Sequence, residues 1–141
     1  LHIDDILNEA KGKVDNVTIG RTDLSNSYFD GEVKPDCEFI TDLIYKISDK
    51  VHAAGLTLTV GGSITAKSIN RFKENRESLE GRIASIETRK IILPVEIFLE
   101  KEHALEEALR FEELYLRSKL EYEKSLSHMD RVRLDKIKSR I

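Results

Sequence analysis

Between residues 16 and 25 the sequence NVTIGRTDLS runs from β-branched residues into a glycine, then sets an arginine and an aspartate within three positions of it. A strand that ends at Gly20 presents Asp23 at the rim of a parallel sheet, where adjacent backbone N–H groups can meet an anion. A carboxylate in that setting suits a hard divalent cation, because Mg²⁺ is commonly held by one or two protein carboxylates together with water and substrate oxygens. Without an ion, the same Asp23 would act as a loop cap that accepts from nearby N–H groups. Arg21 beside it offers a cation to a substrate anion, or pairs with a carboxylate such as Glu87 as a structural ion pair.

Two further segments carry chemistry. Gly61, Gly62 and Ser63 follow the run LTLTV and precede a helix that Thr65 can cap. Free N–H groups at such a helix start receive phosphate or carboxylate, although short glycine turns also arise for conformational reasons alone. Glu87, Thr88 and Arg89 end a third β-rich run, SIETRK. Glu87 and Arg89 are two apart and point the same way on a strand, Glu87 as metal ligand or base and Arg89 as a clamp for a substrate carboxylate, or both as partners in ion pairs. His2, His52, His103 and His128 show no HxxxH spacing and read as solvated. The single cysteine, Cys37, opens a helix and packs as a small hydrophobe, and with no CxxC there is no thiolate zinc site.

The elements that must position these residues alternate. Apolar spacing predicts a helix over residues 3–12, a strand over 16–20, and a polar, turn-rich stretch over 21–35. Asp36 is a good N-cap for a second helix that ends at Gly55. A strand over 56–60, a helix over 66–76 and a third strand over 82–87 complete three βα units. Three parallel strands alone leave open edges, and 141 residues fall well short of the roughly 250 of a closed eight-stranded barrel. The expected fold class is therefore α/β, the C-terminal part of a TIM (β/α) barrel with a long C-terminal helical extension, in a chain that is a segment of a longer one. Residues 1–95 hold the βα units. Residues 96–141 hold a long helix from residue 95 to 126, free of Gly and Pro, and a last helix over 130–139. Its wide apolar stripe suits barrel closure, packing or oligomerisation, and a homo-oligomer is expected.

Composition limits the partners. With 40% hydrophobic and 35% charged residues and a formal net charge of −3, the interspersed Lys, Arg, Asp and Glu leave no basic stripe for a nucleic-acid backbone. No apolar run approaches the roughly 20 residues that span a bilayer, and the first residues lack a secretory pattern, so a cytoplasmic protein without membrane contact is expected.

The run NVTIGRTDLSNSY resembles the strand-six signature of the HpcH/HpaI aldolase and citrate lyase family, a glycine and two variable residues followed by Asp-Leu-Ser. The match is Gly20, Asp23, Leu24 and Ser25, and the likeness extends over strands six to eight, residues 1–95. It implies that Asp23 binds a divalent metal, Mg²⁺ or Mn²⁺, with a glutamate from the preceding strand, while the backbone amides of Thr22 and Asp23 hold the carboxylate of a 2-oxo acid. The implied reaction is carbon–carbon bond cleavage or formation in a small 2-oxo acid such as pyruvate, or an acyl substrate, with the metal stabilising the enolate as a Lewis acid. Arg21 stands where many family aldolases have proline, and the partner glutamate and substrate arginine belong to earlier strands than this chain contains. Two other readings stand beside it: a non-catalytic assembly module built on the partial barrel and long helix, and a phosphosugar-binding barrel enzyme using Gly61 and Gly62.

Overall fold

A computed structural model describes residues 2–140 of the chain. Strands β1 (Asn16–Gly20), β2 (Thr57–Gly61) and β3 (Ser85–Thr88) run parallel, and β4 (Ile91–Pro94) returns antiparallel along β3. The order is β1-β2-β3-β4. Helices α1 (Ile3–Ala10), α2 (Arg21–Asn26), α3 (Glu38–Ala53), α4 (Ala66–Glu74), α5 (Arg76–Leu79), α6 (Val95–Glu100) and α7 (Ala104–Lys138) complete the chain. The α/β class and the long C-terminal helix agree with the sequence. Among the described residues the sheet is mixed, four-stranded and not closed.

The parallel strands alternate between two chemistries. Leu58, Val60 and Ile86 have no solvent exposure and join Ile40, Ile44 and Val51 of α3, Phe72 of α4 and Phe98 of α6 in one core. On the opposite side of the pleat lie Asn16, Thr18, Thr57, Thr59, Ser85 and Glu87, because successive side chains point to opposite faces. Register sets these polar residues level: Asn16 with Thr57, Thr18 with Thr59, and Thr59 with Ser85. They bond to one another. Asn16 Nδ2 donates to Thr57 Oγ1 at 2.9 Å, Thr59 Oγ1 lies 3.0 Å from Asn16 Oδ1, and the Thr59 and Ser85 hydroxyls are 2.7 Å apart. One face is thus apolar and packed, the other a ladder of hydroxyls and amides.

Several local expectations are corrected. Residues 21–26, expected as loop, form α2, with Gly20 as N-cap and Asp23 in a first turn that favours negative charge. Six residues are too few to show an apolar period. Asp36 does not cap α3; Cys37 holds that position, while the Asp36 carboxylate turns to Arg21. The segment after β3 is not a βα loop: Arg89 and Lys90 form the turn of a hairpin into β4. That turn lacks the Gly or Asn by which short hairpins are usually recognised. The expected helix from residue 95 breaks at Lys101, which is extended, and α7 then continues without interruption through Ser127 and His128. Ser and His cost a helix only a few tenths of a kcal/mol each, about the difference that packing overrides.

By contact the chain divides into a unit spanning Leu1–Ala108 and a second spanning Leu109–Ile141. The first contains the sheet and its core. The second consists of α7 beyond Ala108 and is described separately below.

In the core, the hydroxyl oxygen of Tyr45 is buried and has no hydrogen-bond partner among the described residues, while the Arg82 guanidinium sits 5.6 Å from its ring centre. Burial holds the Tyr45 hydroxyl above its ordinary pKa. Replacing Tyr45→Phe removes an unsatisfied donor and keeps the ring, so a gain of about 1 kcal/mol in urea denaturation is expected. By contrast, Leu58→Ala opens a cavity at a fully buried position and is expected to lose about 2–5 kcal/mol in the same measurement.

Candidate functional site

The carboxyl ends of β1, β2 and β3 meet in a rim organised by Arg21. Its side chain starts α2, an element of only six residues, yet Arg21 is 1% exposed. Nε donates to Gly61 O at 3.3 Å. Nη1 reaches Asp36 Oδ1 at 2.6 Å and Pro35 O at 3.5 Å. Nη2 lies 2.9 Å from Gly62 O, 3.1 Å from Ser63 O and 3.0 Å from Ser68 Oγ. Six acceptors therefore surround the five N–H groups of one guanidinium, and the Phe72 ring stacks 5.6 Å from it. Desolvation lowers the Arg21 pKa, opposed by the hydrogen bond and charge of Asp36. The group remains charged, since arginine titrates far above neutrality. Its partner is Asp36, not Glu87.

Asp36 in turn accepts from Ser68 Oγ at 3.2 Å, and Ser68 closes a capping box with Thr65 at the start of α4. The Thr65 cap matches the sequence. One cation thus fixes the loop before α3, the β2–α4 connection and the start of α4 against the end of β1.

The approach of those segments depends on glycines. Gly62 has φ +84°, and a Cβ there would lie 2.6 Å from Arg21 N and 2.7 Å from Thr22 N. Nothing larger fits while α2 stays in place. Gly20 and Gly61 are register partners, so both open toward the polar face of the sheet. Over Gly20 sits the Asp23 carboxylate, its Oδ2 3.2 Å from where a Cβ would be. Over Gly61 sits Glu87, its Oε2 at the same 3.2 Å. Two acids distant in sequence, Asp23 of α2 and Glu87 of β3, thus come over register-paired glycines of the adjacent strands β1 and β2. Asp23 is exposed and Glu87 half-buried, and neither side chain has a hydrogen-bond or ion-pair partner among the described residues.

The other residues singled out from sequence divide. Thr22 lies at this rim and its hydroxyl is 2.8 Å from that of Ser63. Arg89 lies past the end of β3, exposed in the hairpin turn rather than in line with Glu87. Thr22, Thr65, Asp30, Asp36, Lys34 and Lys67 are among the residues that border a cleft of about 450 Å³. The two lysines and the hydroxyl ladder were not anticipated, yet the ladder has a sequence signal: Asn16 and Thr18, Thr57 and Thr59, and Ser85 and Glu87 each stand two apart within a strand. The four histidines are exposed, and Cys37 is half-buried against the core. No group of three or more His, Cys, Asp or Glu side chains placed to hold a metal occurs among the described residues.

Arg21→Met leaves Asp36 and several carbonyls without their donor, and a loss of about 3–5 kcal/mol in chemical denaturation is expected. Gly62→Ala combines positive φ with a backbone clash, and is expected to cost about 2 kcal/mol or more in the same assay. A loss near zero for either would contradict the role given to this network. In comparisons with known proteins, no family model, no curated protein and no solved structure matches the chain.

Proposed function

We propose that this rim belongs to a metal-dependent carbon–carbon lyase of the aldolase and citrate lyase type, acting on a small 2-oxo acid such as pyruvate. The observation that carries the proposal is the pair of unpartnered carboxylates, Asp23 and Glu87, standing over adjacent glycines on one side of a parallel sheet. The donor set suits Mg²⁺ or Mn²⁺ in kind: hard oxygen ligands from two acids, each standing where a Cβ on Gly20 or Gly61 would crowd it. When bound there, the ion supplies Lewis acidity toward the substrate carbonyl. Asp23 holds the ion, and Glu87 either shares it or accepts a proton from the bound substrate. By the resemblance, the N–H groups of Thr22 and Asp23 at the start of α2 are the ones that would receive a substrate carboxylate. Lys34 and Lys67, beside the cleft, add positive charge that favours an anionic substrate. Arg21 acts as a positioning residue, because its N–H groups are engaged by the protein.

Lys34 and Lys67 next to the Thr65-capped helix also favour a second reading, a phosphosugar held through Gly61, Gly62 and the start of α4.

The two readings separate in a thermal-shift experiment on the intact protein. Mg²⁺ or Mn²⁺ with pyruvate is expected to raise Tm by several degrees, the linkage effect of a ligand well above its Kd. Asp23→Ala abolishes that shift and Glu87→Gln reduces it, with the unliganded Tm changed little. Absence of any metal-dependent shift sinks the lyase proposal, and stabilisation by phosphate alone supports the sugar-phosphate one.

A further inference from the structure

Beyond Ala108, α7 presents an amphipathic surface that its own unit does not cover. Leu109, Leu116, Leu120, Leu126, Leu134 and Ile137 fall within an arc of roughly 120° of the helix, which they share with Glu112, Lys119, Glu123 and Asp130. The six apolar residues are between 42% and 55% exposed. Along one border of that stripe run Glu106, Glu113, Lys124, Arg131 and Lys138, separated by seven or eleven residues, each close to a whole number of turns. The border is acidic in its first half and basic in its second.

The division extends to the whole helix. Residues 104–123 carry six acidic and three basic side chains, whereas residues 124–138 carry five basic and two acidic ones. The helix macrodipole does not account for this, since its influence is confined to the first and last turns, and Glu112, Glu113, Glu121, Glu123 and Lys124 lie far inside both. Two copies laid parallel would place like charges together. Laid antiparallel, they place opposite charges together.

We propose that α7 pairs antiparallel with α7 of a second copy of this chain, with the two-fold axis near Tyr122. In that register Glu106 is level with Lys138 and Glu113 with Arg131. The apolar residues mesh at the same time: Leu109 falls between Leu134 and Ile137 of the other copy, and Leu126 falls between Leu116 and Leu120. One alignment thus brings apolar residues of the two copies together along this arc and opposite charges together along its border, with Glu123 and Asp130 as polar interruptions of the seam. Glu113 already meets Arg117 within its own helix at 2.6 Å, but that pair is exposed and too weak to withhold the carboxylate from a second cation.

Sedimentation equilibrium of the intact protein is expected to give a dimer that weakens as salt is raised. Glu106→Lys with Glu113→Lys should weaken it about tenfold or more, with helicity unchanged by circular dichroism. Adding Arg131→Glu and Lys138→Glu to the same chain restores opposite charges across the seam and should recover the affinity, a result that general surface disruption cannot produce. In a Cys37→Ser background, a short bismaleimide should join Glu106→Cys protein to Lys138→Cys protein more readily than either to itself. A protein that stays monomeric at about 100 µM overturns the proposal, that concentration lying well above the Kd of even a micromolar dimer. So does preferred Glu106→Cys self-linking, which means parallel pairing, failure of the fourfold variant to recover, or a monomer that binds anionic lipid vesicles.

Discussion

One buried guanidinium determines the shape of the rim. Moving an arginine out of water costs several kcal/mol unless its charge and its donors are met, so Arg21 constrains every group that meets them. Those groups come from separate parts of the chain: carbonyls of Gly61, Gly62 and Ser63, the carboxylate of Asp36, and the hydroxyl of Ser68. Their common cation makes them one structure, and the glycine at 62 is what lets them come close enough to share it.

Above that knot, the sheet separates packing from chemistry. Side chains with a period of two put Leu58, Val60 and Ile86 in the core and Thr59, Ser85 and Glu87 on the other side. Parallel sheets are normally covered on both faces, and a polar face is tolerable only when its donors and acceptors are met. Asn16, Thr57, Thr59 and Ser85 meet one another, so the lower part of this face is self-satisfied. At the rim the ladder gives way to Gly20 and Gly61, and there the polar groups are carboxylates with no such partners. Among the described residues, the change from paired hydroxyls to unpaired acids is what distinguishes the rim from the sheet below it.

How much of this was legible depended on the range of the interaction. The strands at residues 16–20 and near 57–61, the Thr65 cap and the Gly55 stop follow from local rules, and Asp23 was identifiable from its place after a strand that ends in glycine. Asp36 obeys the local rule for an N-cap, but a buried arginine outcompetes three backbone N–H groups for its carboxylate. The short strand β4 was hidden within KIILPVEIF, where an apolar run fits a buried strand or a buried helix equally well. The convergence of Glu87 with Asp23 depends on strand order and register, which no spacing along the chain encodes. The open sheet likewise reflects which strands pair, information that the alternation of βα units does not contain.

Different forces must hold the two parts of the chain. Residues up to Ala108 bury leucine, isoleucine, valine and phenylalanine in one cluster, and that burial stabilises the sheet against the cost of ordering it. The helix beyond Ala108 has no such core. Isolated helices are marginal in water even with good propensities, because most helical stability in proteins comes from an apolar face packed against something. Exposed ion pairs such as Arg117 with Glu113 add only about 0.3–0.5 kcal/mol each, too little to replace that packing. A stripe of leucines extending to Ile137 is a cost to solubility if it stays wet, and its bordering charges are the feature that would choose what covers it. The sheet resolves its exposed polar face internally, hydroxyl by hydroxyl. The helix has no internal means of doing the same for its apolar one.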